Sequence, residues 1–243
     1  MTVDIRRYGP YLAITAAGLA VAALAAAFPL PNLDTFSRYA VMAEEFAAGN
    51  WREAFHPRFG LGFPAVAGTL AWITGLDGYR CCCLAAALGW TLGLFAFHRL
   101  ARQLFGERIG WFALVLYVIC PQTLLWVFKG LREAYKTAGL LFVVSGILAR
   151  ARREPGSPDA SLGVWETALG LPLLCLFRND AMLMALVLGL VYAGFDRFGR
   201  RTWGLFAWAA LLLQLPCWLN YLWTGWWFPV YQAIGLLKLL GAG

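Results

Sequence analysis

Apolar residues run along this chain in long blocks rather than in strict alternation. The blocks are 11–30, 61–76, 79–97, 109–128, 134–148, 162–177, 181–195 and 202–222. Most approach the roughly 20 residues that a membrane-crossing helix needs. Arginines punctuate them: Arg6 and Arg7, then Arg99, Arg102 and Arg108, then Arg150, Arg152 and Arg153, then Arg197, Arg200 and Arg201. Between successive clusters lies enough apolar sequence to cross a bilayer twice, the pattern of cytoplasmic loops in a multi-pass protein. Block 61–76 is the exception. It is short and interrupted by Gly62, Pro64 and Gly68. As a crossing it would carry the Arg99–Arg108 cluster to the wrong side, so it reads as an interfacial or re-entrant segment. The pattern thus predicts an all-α integral membrane fold of about seven transmembrane helices in one polytopic domain, 1–243. Its amino terminus is cytoplasmic, its first outer loop is 31–60, and a re-entrant or interfacial segment, 61–76, follows.

The other elements fill in around these spans. Pro29 and Pro31 close the first one. Thr35 to Gly49 has helical spacing, with Phe36, Tyr39, Ala40, Ala43 and Ala47 on one side. It predicts an amphipathic helix along the outer surface, capped by Asp34 or Thr35 and ended by Gly49-Asn50. Residues 151–161, containing Pro155-Gly156-Ser157-Pro158, read as a cytoplasmic loop. Trp226, Trp227 and Phe228 form an interfacial aromatic group, and 230–240 reads as an interfacial helix or the start of a further span.

Composition agrees. Of 243 residues, 61% are hydrophobic and 14% charged, with a mean hydropathy of +0.65. A soluble domain carries about 25% charged residues, so lipid must be part of this chain's solvent. The net charge of +7 comes mostly from arginines beside apolar spans, where they set topology and meet anionic headgroups. It gives no reason to expect nucleic acid. Met1–Arg7 with the block after it reads as a retained first helix rather than a cleaved leader. The six cysteines lie in apolar runs without a C-x-x-C pair. Cys81, Cys82 and Cys83 point in three directions from a helix and read as small packing residues.

With the arginine clusters inside, the remaining polar segments fall outside, and three of them carry candidate chemistry. Asp34 follows the first span directly. A carboxylate at a membrane boundary is costly unless paired or functional. Partial burial would make it a better proton acceptor, and capping the next helix accounts for it equally well. Lys129, Arg132, Glu133 and Lys136 lie in K-G-L-R-E-A-Y-K. On a continuous helix they share one face, and three cations around one carboxylate suit a phosphate or pyrophosphate. The plainer reading is a helix end whose long side chains reach for water. Arg178-Asn179-Asp180 interrupts two apolar runs and lines a cavity or closes a turn. His56 and Arg58 flank Pro57 in the long outer segment, where His56 contacts a phosphate, moves a proton or is an ordinary loop histidine. No Walker loop, G-x-S-x-G or H-E-x-x-H is present, which removes the basis for ATPase, serine hydrolase and zinc protease readings. No spacing supports a metal site.

The order of these features resembles the amino-terminal module of the GT-C superfamily of glycosyltransferases, which includes protein O-mannosyltransferases and aminoarabinose transferases. The likeness runs from about Arg6 to Phe195. It rests on D-x-x-x-x-Y at Asp34–Tyr39, on A-R-Q-L-F-G-E-R after an inward span, and on a second acid in a short outer segment. It implies a polyprenyl-phosphate-linked sugar as donor and a glycan, lipid or protein as acceptor. Transfer would take place outside the cytoplasmic membrane with inversion and no cofactor. Asp34 would be the acceptor-activating base and Glu133 the second acid. Lys129, Arg132, Lys136 and Arg178 would bind the donor phosphate. Tyr39, His56, Arg58 and Asp180 would line the substrate cavity. The chain departs from the family pattern at Thr35, where a further acid is usual, and at Arg58–Pro64, which reads R-F-G-L-G-F-P in place of a K-P-P-L-like stretch. Members usually have additional spans or a soluble carboxy-terminal domain, so the expectation is a fragment, a minimal enzyme that needs a membrane protein partner, or a non-catalytic relative. The competing reading is a lipid-phosphate-binding or transport protein that does no chemistry.

Overall fold

The structure, a computed structural model, describes residues 5–55, 59, 61–152, 160–177 and 181–196, together with 200, 203–205, 207, 208, 211, 218, 221 and 222. The expected spans near 202–222 and the terminal segment fall largely or wholly outside these. The described chain is helical: α1 (Ile5–Ala27), a π-helical turn (Thr35–Tyr39), α2 (Ala40–Ala47), α3 (Trp51–Ala54), α4 (Gly62–Thr74), α5 (Gly78–Phe105), α6 (Glu107–Val118), α7 (Pro121–Phe128), α8 (Glu133–Ala151), α9 (Ala160–Phe177) and α10 (Met182–Asp196).

Helix α5 is the central post. Its most apolar stretch is 67% buried within the protein, against 22% for α1 and 44% for α8. Small residues make this possible. Cys82, Ala85, Ala86 and Ala96 share a core with Tyr39, Phe63, Tyr135 and Phe142. Another side of α5, through Cys83, Ala87, Trp90 and Leu94, packs with Ile14 of α1, Leu114 of α6 and Val127 of α7. A fully exposed lipid helix has no reason to be this rich in small side chains, whereas close helix approach requires them.

Contacts between helix ends define two poles. At one, the Leu30 N–H donates to the Phe128 carbonyl at 2.8 Å. There too the Tyr79 hydroxyl donates to the Leu30 carbonyl, and Tyr135 stacks on Phe177 with ring centroids 3.8 Å apart. At the opposite pole Arg99 pairs with Glu166, and Arg152 donates to the Gln103 carbonyl. We call the second pole the basic end, because Arg99, Arg102, Arg108, Arg150 and Arg152 gather around it, and the first the site end.

Among the described residues, three helices are long and apolar enough to cross a membrane: Gly9–Ala27, Gly78–Phe105 and Glu133–Ala151. A fourth path is the pair α6 and α7, bent by 50°. The sequence predicted one continuous span over 109–128. Instead Ile119 leaves helical geometry, Cys120 is extended, and Pro121 starts a new helix at a position where its missing N–H costs nothing. The pair still connects the two ends, since Gly106 follows α5 at the basic end and Phe128 meets Leu30 at the site end.

Segment 61–76 differs from expectation in one respect, the interruptions expected at Gly62, Pro64 and Gly68. It is one unbroken helix, α4, with Gly75 in the left-handed conformation (φ +68°) as its terminator. Pro64 is tolerated because it sits in the first turn, where N–H groups lack helical partners. The glycines mark contacts rather than breaks. A Cβ at Gly62 would lie 2.8 Å from the Phe177 ring, and one at Gly68 would lie 2.5 Å from Phe46. Gly62 meets Phe177, and Gly75 precedes the start of α5 by three residues, so both ends of α4 lie at the site end. Thirteen residues at 1.5 Å each give about 20 Å, short of the roughly 30 Å hydrocarbon core.

The first outer segment is helical from Leu33, but not in one register. Five residues are π-wound before α2 begins, which shifts the faces. Tyr39, Ala40 and Ala43 are buried as the spacing predicted, whereas Phe36 is 70% exposed. The cap is neither Asp34 nor the Thr35 hydroxyl: Asn32 Oδ1 accepts from the Thr35 N–H at 3.0 Å. Residues 151–161 are shorter as a loop than predicted, since Ala151 ends α8 and Ala160 opens α9.

Candidate functional site

Thr35 assembles the site end. Its side chain is fully buried, and its hydroxyl lies 2.6 Å from the Lys129 carbonyl, to which it donates. Asn32 Oδ1 lies 3.2 Å away on the same hydroxyl. This clasp seats the residue after Asp34 on the turn that joins α7 to α8. The turn needs glycine at 130, where φ is +62°. A Cβ there would also sit 3.0 Å from both Cys82 Cβ and Thr35 Cγ2. Thr35→Val keeps the shape and removes the hydroxyl, leaving buried carbonyl groups without their donor. We expect a loss of about 1–3 kcal/mol, read as a lower midpoint in detergent unfolding, with Thr35→Ser close to wild type.

The Gly130 turn changes the expected arrangement of cations. Helix α7 ends at Phe128 and α8 begins at Glu133, so Lys129, Arg132, Glu133 and Lys136 do not share one continuous helix. Lys129 caps α7. Arg132, Glu133 and Lys136 occupy the first turn of α8, and all four are half-buried. This grouping is electrostatically unusual. A helix amino terminus already carries about half a positive charge and favours anions. Here Arg132 and Lys136 add to that potential, with Glu133 as the acid in the same turn.

Arg132 is held by aromatic faces. Its guanidinium lies 5.4 Å from the centroid of the Tyr39 ring and 5.7 Å from that of Phe59. Arg38 approaches the same Phe59 ring at 5.5 Å. Tyr39 in turn packs edge-on against Phe63 at 5.5 Å, and Phe63 against Tyr135 at 6.2 Å. An aromatic column therefore runs from the cations down to Phe177. Among the described residues the buried Arg132 Nε has no hydrogen-bond partner, and ring contacts hold this group in its place.

Asp34 is not in the half-buried setting that the sequence suggested. Its side chain is 62% exposed, and its carboxylate pairs with Arg38 at 3.1 Å. The π-turn explains this, because it lets Thr35 and Tyr39 turn inward while residue 34 faces out. The structure thus unites Tyr39 with Arg132 and seats the Asp34 segment against Lys129 and Gly130. His56, Arg58, Arg178 and Asp180, also predicted for the site, lie outside the described residues.

Two residues carry weight that their sequence positions did not announce. Phe59 lies between two guanidinium groups, a role that spacing cannot reveal. Glu166 of α9 is 7% exposed and pairs with Arg99 of α5. Its signal was available, as a single carboxylate inside an otherwise apolar block. This pair lies at the basic end, away from the candidate site.

The described chain is therefore an all-helical protein with several helices able to cross a membrane and a cationic, aromatic-held cluster at one end. No protein-family model, curated protein or solved structure matches it.

Proposed function

We propose that this protein is a membrane glycosyltransferase. It moves a sugar from a polyprenyl-phosphate donor to an acceptor hydroxyl, with inversion, on the outer face of the cytoplasmic membrane. The observation that carries this reading is the positive group at the start of α8: Lys129, Arg132 and Lys136 beside a helix amino terminus, half-buried and held by aromatic rings. Such a group suits a phosphate. The topology we propose has seven crossings, with the basic end and the amino terminus in the cytoplasm.

In this mechanism Asp34 takes the proton of the acceptor hydroxyl as its oxygen attacks the anomeric carbon. The bond between that carbon and the phosphate oxygen breaks. The departing phosphate monoester gains charge, which the cations and the α8 dipole stabilise. Exposure of Asp34 leaves room for the acceptor, and Arg38 orients its carboxylate. Glu133 keeps the cationic turn from excessive self-repulsion, and Arg178 completes the donor-phosphate ligands. Tyr39, His56, Arg58 and Asp180 border the sugar and acceptor. The acceptor is a glycan, lipid or protein, and a membrane protein partner is a further part of this proposal.

The test is transfer of labelled sugar from polyprenyl-phosphate-linked donors in membranes holding matched amounts of wild type or Asp34→Asn. Transfer by the wild type and loss of about 100-fold or more in Asp34→Asn, with donor binding kept, supports the base. Equal transfer by both removes Asp34 from that role. Donor binding that Arg132→Ala weakens, without transfer by any form, favours the lipid-phosphate binder over the enzyme.

A further inference from the structure

Two arginine contacts at the site end converge on the ring of Phe59. This residue lies between helices, since α3 ends at Ala54 and α4 begins at Gly62. Its ring centroid is 5.7 Å from the guanidinium carbon of Arg132 and 5.5 Å from that of Arg38. Arg38 in turn holds the Asp34 carboxylate at 3.1 Å. One side chain therefore meets both the cation assigned to the donor phosphate and the partner of the assigned base.

Arg132 needs such an anchor. A guanidinium is useful to a phosphate because its donors form a rigid planar fork, and a fork on a wandering side chain presents no fixed geometry. Among the described residues the buried Arg132 Nε has no hydrogen-bond partner, so no hydrogen bond at that atom sets the orientation of the group. Two rings take that place, and they are not equivalent. Tyr39, at 5.4 Å, is 6% exposed and set edge-on against the fully buried Phe63. Packing of the core is sufficient reason for an aromatic there. Phe59 is half-buried and sits at the margin of that core, edge-on to Tyr39 at 5.6 Å. An aliphatic side chain of similar size could cover Tyr39 from this position. It could not attract a cation, because that attraction comes from the negative face of a π system.

We propose that Phe59 is a positioning residue, whose ring face fixes the Arg132 guanidinium for the donor phosphate. This rests on the reading of Arg132 as a donor-phosphate ligand. Phe59 contacts no reacting atom and acts through Arg132. Because Arg38 meets the same ring, the Asp34 pair and the phosphate cation share one anchor, which gives the two halves of the site a common reference.

The test changes the electrons of the ring and leaves its shape nearly intact. Phe59 in the full chain is replaced by mono-, di- and trifluorophenylalanine, in which fluorine draws charge from the ring face. The probe is polyprenyl phosphate, titrated against the protein in detergent micelles. Affinity is expected to fall with each added fluorine, by about fivefold over the series. Phe59→Leu should bind about fivefold more weakly as well, whereas Phe59→Tyr, which keeps a π face, should stay within about twofold of wild type. In an Arg132→Ala background the fluorine series should be flat, since the cation that the ring holds for the phosphate is gone. A flat series in the wild type, with Arg132→Ala still weakening the probe, would overturn the role of Phe59 and leave the phosphate reading standing. A slope that persists in Arg132→Ala would assign the effect to other contacts of the ring and would also overturn it. Equal binding by wild type and Arg132→Ala is a third, separate result: it would remove the phosphate reading itself, and this inference with it.

Discussion

Arg99→Leu is expected to unfold more readily than any other single charge variant at the basic end. Arg99 of α5 and Glu166 of α9 form an ion pair in which the Glu166 side chain is 8% exposed and that of Arg99 25%. Removing one partner of a buried pair costs about 3–5 kcal/mol, because the remaining charge keeps its desolvation penalty and loses its compensation. The two partners are not equivalent. In Glu166→Leu the arginine retains a long stem and lies near the end of the bundle, so its guanidinium can reach headgroups and water. In Arg99→Leu the carboxylate is short, stays enclosed and loses its cation. The expected order of stability in mixed-micelle unfolding is wild type, then Glu166→Leu, then Arg99→Leu. The double variant should recover most of the loss, since apolar residues of similar size often replace a buried pair without cost. Two single losses that simply add in the double variant would show that the pair is not a coupled unit.

Gly170→Val should separate α8 from α9. These helices meet through glycines spaced seven apart on each: Gly139 faces Gly170, and Gly146 faces Gly163. A Cβ at Gly170 would fall 2.7 Å from the Gly139 carbonyl oxygen and 2.6 Å from Val143 Cγ2. The first of these is backbone and cannot swing away. Replacing a helical glycine normally gains up to about 1 kcal/mol of helix propensity, but overpacking of a close contact costs about 1–3 kcal/mol and occasionally more. A β-branched side chain adds two further methyl groups to the collision, so the loss wins. Gly194→Ala on α10 is the control, since its Cβ would meet nothing within 4 Å. It should be neutral or slightly stabilising. If Gly170→Val and Gly194→Ala behave alike in detergent unfolding, the close α8–α9 contact is not what holds these helices together.

Both predictions concern features that differ in how far the sequence reveals them. Apolar blocks are legible because lipid demands long uninterrupted stretches, and α5 and α8 fall where those stretches predict. The bend at Cys120 is less so. Pro121 marks an irregularity, but the 50° angle between α6 and α7 also needs Ile119 to leave the helix. Glycine was the residue most easily misread. At 62 and 68 it reads as a helix breaker in isolation, whereas Phe177 and Phe46 occupy the space that a Cβ would take. At 130 it divides the cations between two helices, which helical spacing alone hides. The cationic residues themselves were legible from charge on the far side of the arginine clusters. Their partners were not, because the contact of Arg132 with Tyr39 and the clasp of Thr35 on Lys129 join segments far apart in the chain. Glu166 was legible in principle, from the cost of placing a carboxylate in an apolar helix.

The Thr35 clasp has a consequence for how this protein can change over time. The acceptor at 129 is a peptide oxygen, which every amino acid supplies equally. Substitution of Lys129 therefore alters the charge on the turn between α7 and α8 without detaching the segment that carries Asp34. Position 130 has no such latitude, because its backbone and its surroundings both demand glycine. Neighbouring positions thus evolve under opposite constraints: one is open to retuning for a different ligand, while the other keeps the frame in which that retuning takes place.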